Sequence, residues 1–208
     1  MSIIAKSGEN TQNFTPAPAG NHLAVCVGIT HIGTNYSEMY EKDFNQVNIT
    51  WELSNETYDD SEGNPQLYLL SRTYTLSLHE KATLRKDLDA WRGKRFTDDE
   101  LKGFDITTIL GAPCMVTAIH NDNGKAKVVG VASLPKGMPK PKAVNELKTF
   151  DYDNNFDMKA IEAFPEWVRD AIRSSVEYKQ RVRELEAQPH EDHLKAIAEE
   201  DDYQQLPF

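Results

Sequence analysis

The sequence predicts a mainly β domain with one helical insertion, followed by an acidic C-terminal part. Five short runs have the length and apolar pattern of strands, and leucine and tryptophan recur at helical spacing between the third and fourth runs. Charge is divided unevenly along the chain. Residues 1–150 hold 16 Lys+Arg and 18 Asp+Glu, a net charge of −2, whereas residues 151–208 hold 7 and 15, a net charge of −8. An uneven division of this kind indicates an interaction tail.

The first three predicted strands lie at residues 22–32, 47–53 and 67–76. In the first strand, both the odd-numbered and the even-numbered positions carry apolar residues, as expected of a strand that is long, bent or buried on both faces. The second alternates cleanly, and one of its faces carries Val47, Ile49, Trp51 and Leu53. A polar segment precedes the second strand, and a turn-rich acidic loop precedes the third.

A helix is predicted after the third strand. Ser77 and Glu80 have the spacing of a capping box, in which each side chain satisfies an orphan backbone donor. The apolar residues that follow at helical spacing are Leu84, Leu88 and Trp91. Gly93 suits the C-terminal cap, and Thr97 with Glu100 predicts a second, short helix.

The last two predicted strands, 114–120 and 125–134, flank the sequence Asn121-Asp122-Asn123-Gly124. Asn and Gly tolerate positive φ, so this sequence predicts a tight turn. Three strands, a helix and two strands are the order of the five-stranded oligonucleotide-binding (OB-like) barrel, with its helix between strands 3 and 4. The same pattern also fits another small barrel, or an open sheet covered by the helix.

Composition predicts the domain boundaries. The expected parts are a disordered lead (1–13), an OB-like domain (14–135), a Pro/Lys linker and acidic loop (136–164), a helical segment (165–198) and an acidic tail (199–208). Cys26 and Cys114 lie in apolar runs and are expected to be buried free thiols. A cytoplasmic protein with no membrane partner is expected, since the chain shows no secretory signal and no run of 18 apolar residues.

The chain ends in acidic residues followed by Leu-Pro-Phe. This ending resembles the C-terminal tail of bacterial single-stranded DNA-binding proteins, although Tyr203-Gln204-Gln205 interrupts the acids. A terminal Phe ring fills an apolar pocket while its carboxylate pairs with Arg or Lys. The predicted partner-binding residues are Asp201, Asp202, Leu206, Pro207 and Phe208. The alternative is a solvated acidic end without a partner.

Single-strand binders stack bases on aromatic rings and follow phosphates with Lys and Arg. The candidate DNA-binding residues on the second and third strands and in the loops are Lys42, Trp51, Tyr68, Arg72, Tyr74, Lys125 and Lys127. The loop tyrosines Tyr36 and Tyr40 lie beside them. A core role competes with this interpretation: Trp51 shares its face with three aliphatic residues, and the parity of Tyr68, Arg72 and Tyr74 includes two leucines.

Residues 14–137 resemble a family of tailed-phage replication and recombination proteins described as single-stranded DNA-binding. Most of the resemblance lies in residues 72–81, 84–88 and 91–93. It implies the barrel, binding of single-stranded DNA, replication or recombination proteins as partners of the tail, and the host cytoplasm as location. It carries over no individual contact residue.

No enzyme, cofactor or metal is expected. Phosphate-binding glycine loops and nucleophile elbows do not occur in the sequence, and the calcium-like run at 151–162 has Phe156 where a glycine is required. His190 and His193 are better explained as a solvated face than as zinc ligands. The alternative function is an acidic scaffold or DNA mimic that binds a basic protein, and a metal-dependent nuclease is a third option. The oligomeric state stays open, with a homo-oligomer as one possibility.

Overall fold

The computed structural model describes residues 15–154 and 156–187 and shows a mainly β protein with an open six-stranded sheet. The strands are β1 (Gly20–Ser37), β2 (Lys42–Asp59), β3 (Pro65–Thr75), β4 (Pro113–His120), β5 (Ala126–Ala132) and β6 (Lys148–Phe150). The helices are α1 (Thr83–Arg92), α2 (Asp98–Lys102), α3 (Met158–Glu162) and α4 (Glu166–Ser174), with a 3-10 turn at Ile106–Ile109 and further helical residues at 176–187. The sheet follows the antiparallel order β3-β2-β1-β4-β5, and β6 pairs in parallel with β1.

β1 is the strand that joins the two halves of the sheet. Its first residues, Gly20 to Val25, pair with β4, and the part from Ala24 to Ser37 pairs with β2. Two register shifts interrupt its pairing with β2, and such bulges bend a strand and increase its twist. The prediction of a long, bent strand is therefore confirmed. The mostly polar residues 33–45 continue the β1–β2 hairpin. The sequence did not reveal this because the rings of Tyr36 and Phe44 lie on opposite faces of the ribbon and leave neither face continuously apolar.

The main core lies between the sheet and α1. The alternating apolar face of β2 points inward, and Leu84, Leu88 and Trp91 of α1 pack against it. The Trp91 indole also donates a hydrogen bond to the Pro113 carbonyl oxygen at 3.0 Å. Burial of this kind contributes about 25 cal/mol per Å² of apolar surface, and it holds α1 across β3 and β5.

The helix boundaries correct one prediction and confirm two. The capping box at Ser77 and Glu80 is wrong: α1 begins only at Thr83, and the Ser77 hydroxyl accepts a hydrogen bond from the His79 amide inside the β3–α1 connection. The Ser77 hydroxyl therefore stabilises a local turn and does not cap the start of α1. The capping box of Thr97 with Glu100 is confirmed, and so is the C-cap Gly93, at φ 67°.

Both cysteines are buried free thiols, as predicted. Burial raises the pKa of Cys26 to about 12 and raises that of Cys114 as well, so both sulfurs stay protonated. Among the described residues, no helix is long and apolar enough to cross a membrane.

A second, smaller core joins the residues after the main sheet to β1. Its members are Phe150, Tyr152, Ile161, Val168 and Ile172. We call residues 144–178, apart from Asn155, the C-terminal wall. The range expected to be a linker and an acidic loop contains β6 and α3, which are too short to leave a periodic pattern. The helix predicted from Pro165 is interrupted at Ser175, whose backbone is extended at ψ 156°.

Buried hydrogen bonds attach the C-terminal wall to the sheet. The fully buried Glu52 carboxylate of β2 accepts bonds from the Val144 amide at 2.7 Å and from the Asn145 amide at 2.9 Å. At the other end of the wall, the Glu177 carboxylate accepts bonds from the amide and hydroxyl of Thr34 at 2.7 and 2.6 Å. Each carboxylate therefore joins segments that are far apart in the sequence.

The Glu177 attachment is expected to weaken in acid. Burial acts to raise the pKa of Glu177, but the hydrogen bonds from Thr34 outweigh it, so the pKa lies below the ordinary value of 4.5. A lowered carboxyl pKa contributes stability above the unfolded pKa, and this stability is lost as pH falls through the folded pKa. Glu177→Gln should lower the free energy of unfolding by about 1 kcal/mol at pH 7 and flatten its dependence on pH below 4.5.

Urea unfolding between pH 3 and pH 7 measures this effect. Glu186→Gln, an exposed change in the same helical stretch, is the matched control and should behave like the wild type. Identical pH profiles for Glu177→Gln and the wild type would contradict the assignment.

Candidate nucleic-acid interface

The structure divides the predicted DNA-binding residues into buried and exposed groups. The side chains of Trp51, Tyr68 and Tyr74 are 0%, 5% and 3% exposed, so they belong to the core. A buried ring offers no face to a base, and the expectation that these three rings stack on bases is corrected. Strand alternation is the reason: Trp51 points inward with Ile49, and Tyr68 and Tyr74 share the inward parity of Leu70.

Each of the two buried tyrosines already has a partner. The Tyr68 ring packs on Tyr58, with ring centroids 4.9 Å apart. The Tyr74 hydroxyl donates a hydrogen bond to Asp87 Oδ2 at 2.8 Å, and burial raises the pKa of Tyr74, so the hydroxyl remains a donor. These contacts join β2 and β3 to each other and to α1.

Arg72 lies between the core and the surface. Its guanidinium pairs with Asp87 Oδ2 at 3.0 Å and lies over the Tyr74 ring, 5.1 Å from the centroid. Burial raises the pKa of Asp87, while its bonds to Tyr74 and Arg72 oppose that change. Part of the Arg72 side chain remains accessible, so it can face a ligand while it positions Asp87.

A polar groove of about 500 Å³ brings Arg72 together with Lys42. It lies at the edge of the sheet, between the start of β2, the end of β3 and the connection to α1, and we call it the basic groove. Its cationic residues are Lys42, Arg72 and Lys81, and His79 and Tyr74 also line it. None of the described residues that line it is acidic, and Asp87, just outside the lining, offsets the charge of Arg72. Lys42 and Lys81 therefore give the groove a positive local charge although the whole chain carries −10.

An exposed aromatic ring, Tyr40, lies beside the basic groove on the tip of the β1–β2 hairpin and is 64% exposed. Tyr36 is 63% exposed but pairs with Asp43, so it lies on the face of the hairpin opposite to Lys42 and Phe44. Phe44, which lines the groove, meets Tyr40 edge to face at 5.6 Å, and Lys42 Nζ lies 4.7 Å from its centroid. Sequence reasoning did not select Phe44, yet Lys42, Phe44 and Gln46 recur at the strand period of two, which would have pointed to one face.

Lys125 and Lys127 do not line the basic groove. Both side chains are exposed, at the turn between β4 and β5 and on β5. Asn121 Oδ1 holds the predicted turn by accepting bonds from the amides of Asn123 and Lys125. β4 lies beside Gly20 at the start of β1, whereas Lys42 pairs with Ser37 at its far end. The two lysines are therefore at the opposite end of β1 from the basic groove.

The five predicted tail residues, Asp201, Asp202, Leu206, Pro207 and Phe208, lie outside the described residues. Within the described part, no three His, Cys, Asp or Glu side chains come together as a metal site. The basic groove offers cations, hydroxyls and an aromatic face for binding.

Comparison with known proteins adds no assignment. No protein-family model matches the chain, and no curated protein matches it.

Proposed function

We propose that this protein binds single-stranded DNA without sequence preference, through the basic groove and the aromatic rings beside it on the β1–β2 hairpin. The observation that carries the proposal is the juxtaposition of three cations, Lys42, Arg72 and Lys81, with the Phe44 ring that lines the groove and the exposed Tyr40 ring that meets it. Cations follow the phosphates of a single strand, and aromatic faces stack on its bases whatever their identity. The polar side chains lining the groove accept several hydrogen-bonding patterns.

The strand connections support an OB-like barrel as the framework of this proposal. The path β3-β2-β1-β4-β5, with α1 between β3 and β4 in sequence, is the pairing order of that fold. β3 and β5, at the two ends of the path, approach each other, and α1 contacts both of them. We propose that α1 covers the gap between them, so that the sheet acts as a partly open barrel.

A role in phage DNA replication or recombination, in the host cytoplasm, is part of the same proposal. The tail ending in Leu206-Pro207-Phe208 would recruit replication or recombination proteins, as the resemblance to bacterial single-stranded DNA-binding proteins implies. The charge division supports this arrangement, since most of the net negative charge lies after residue 150, away from the near-neutral body.

Fluorescence anisotropy with a labelled oligo-dT of about 30 nucleotides tests the function. We expect the single strand to bind more tightly than its duplex counterpart, without added metal, and to bind less tightly as salt increases. Equal affinity for single strand and duplex, or no binding at low salt, would contradict the proposal.

An acidic scaffold or DNA mimic is the second candidate, and the net charge of −8 over residues 151–208 favours it. This candidate predicts no binding of oligo-dT by the full chain. It also predicts that a basic protein captured by the full chain is lost when residues 199–208 are removed.

A further inference from the structure

A second groove lies on the outer face of the sheet, between β1–β3 and the C-terminal wall. Its volume is about 450 Å³. Its floor comes from the sheet and combines polar residues with apolar ones: Thr30, Asn48, Thr50 and Ser71 with Val27 and Leu69. Its other side comes from the C-terminal wall and includes Phe164, Trp167 and Lys148. We call it the outer groove.

The outer groove continues the basic groove along β2 and β3. Asn48 of the outer groove donates a hydrogen bond through Nδ2 to Oγ1 of Thr73, which lines the basic groove, at 3.1 Å. Two residues further along β2, Thr50 pairs with Ser71 of β3. The stretch of β2 from Phe44 to Thr50 is roughly 20 Å long, because a strand rises about 3.3 Å per residue. That length suits about four nucleotides, the lower end of the range for an OB domain.

Trp167 presents a large ring at the outer groove. It is 50% exposed, whereas Trp51 and Trp91, the other two tryptophans of the chain, are buried. Its neighbour Val168 and Ile172 on the same helix, α4, are buried in the second core. The helix is therefore held in place by other side chains, and the indole is left free to contact a ligand.

We propose that Trp167 stacks on a base of the bound strand, so that the C-terminal wall forms the second side of one continuous DNA track. The inference rests on the proposed function and names a further contact for it. Lys148 and Glu146 both line the outer groove and pair with each other at 3.4 Å, so their charges offset each other and Trp167 is the main contact that this side offers to the strand.

At the floor, the exposed Ser71 hydroxyl can donate and accept hydrogen bonds with a base edge, and the exposed Leu69 beside it can contact the face of a base. Asn48 serves the fold instead, because it is buried and already bonded to Thr73 and Thr50.

Tryptophan fluorescence of the full chain provides the first test. Since the other two indoles are buried, quenching by unlabelled oligo-dT reports on Trp167. We expect quenching that saturates at the same oligo-dT concentration as the anisotropy signal, and that is absent in Trp167→Phe. Anisotropy that rises without any change in fluorescence would overturn the inference and leave the proposed function standing.

Affinity of the variants provides the second test. Trp167→Ala and Trp167→Leu should each weaken oligo-dT binding roughly 5- to 100-fold, the range expected for one lost stack, whereas Trp167→Phe should retain most of the affinity. The salt dependence should stay unchanged, because no cation is removed. Val176→Ala, an exposed apolar change elsewhere in the C-terminal wall, is the matched control.

Two results with these variants would overturn the inference and leave the proposed function standing. The first is wild-type affinity in Trp167→Ala, and the second is an equal loss of affinity in Val176→Ala, which would indicate a structural effect. If the wild type itself binds no oligo-dT, the proposed function fails and the inference fails with it.

Discussion

Replacing Trp51 with alanine is expected to lower the free energy of unfolding by about 3–5 kcal/mol, the usual cost of removing a buried aromatic side chain. Trp51 is completely buried, and its ring lies 6.1 Å from that of Trp91 on α1. Its removal leaves a cavity between the sheet and the helix that covers it. Urea unfolding followed by circular dichroism measures the change.

Tyr40→Ala is the matched control for this prediction, because it also removes an aromatic ring but from an exposed site. Its effect on stability should stay within about 0.5 kcal/mol. DNA affinity should respond in the opposite way, falling in Tyr40→Ala and staying near wild type in the folded fraction of Trp51→Ala. A Trp51→Ala protein that keeps full stability and loses DNA affinity would show that the ring faces the ligand after all.

Removing two cations from the basic groove tests the proposed binding site directly, because the variant is expected to lose both affinity and salt dependence. Lys42→Ala combined with Lys81→Ala should weaken oligo-dT binding roughly 10-fold at low salt, at about 0.7 kcal/mol per lost contact. The slope of log K against log salt should become less steep by about 1.4, since each phosphate contact on a single strand contributes about 0.7. Arg72 is left in place because its pair with Asp87 supports the fold.

Two further double variants complete this experiment. Lys102→Ala with Lys159→Ala removes the same charge from exposed sites on α2 and α3, and should leave binding close to wild type. Lys125→Ala with Lys127→Ala tests the other predicted phosphate contacts, at the opposite end of β1. If that pair weakens binding more than Lys42→Ala with Lys81→Ala, the main DNA track lies at the β4–β5 turn and not at the basic groove.

The candidate site was only partly predictable because strand alternation identifies two faces without saying which of them is inside. Tyr68, Arg72 and Tyr74 occupy alternate positions of β3 and therefore share one face, but this spacing fits a core face and a binding face equally well. The structure separates these residues by position: the two tyrosines lie under α1 or beside Tyr58, while Arg72 reaches the edge where Lys42 and Lys81 come near.

Features that depend on local interactions were determined by the sequence itself. The five main strands, the Asn121–Gly124 turn, the Thr97 capping box and the Gly93 C-cap all follow from residues within a few positions of one another. Backbone conformation and side-chain alternation act over that same distance, so their signals can be read directly from the chain.

Only the tertiary structure decided where the C-terminal wall lies and what it forms with the sheet. Glu52 meets Asn145 across 93 positions and Thr34 meets Glu177 across 143, and no local pattern encodes such pairs. β6 is three residues long and is stable only because β1 supplies its partner. The outer groove and the exposed Trp167 result from these contacts, because burial and hydrogen bonding between distant segments depend on how the whole chain packs.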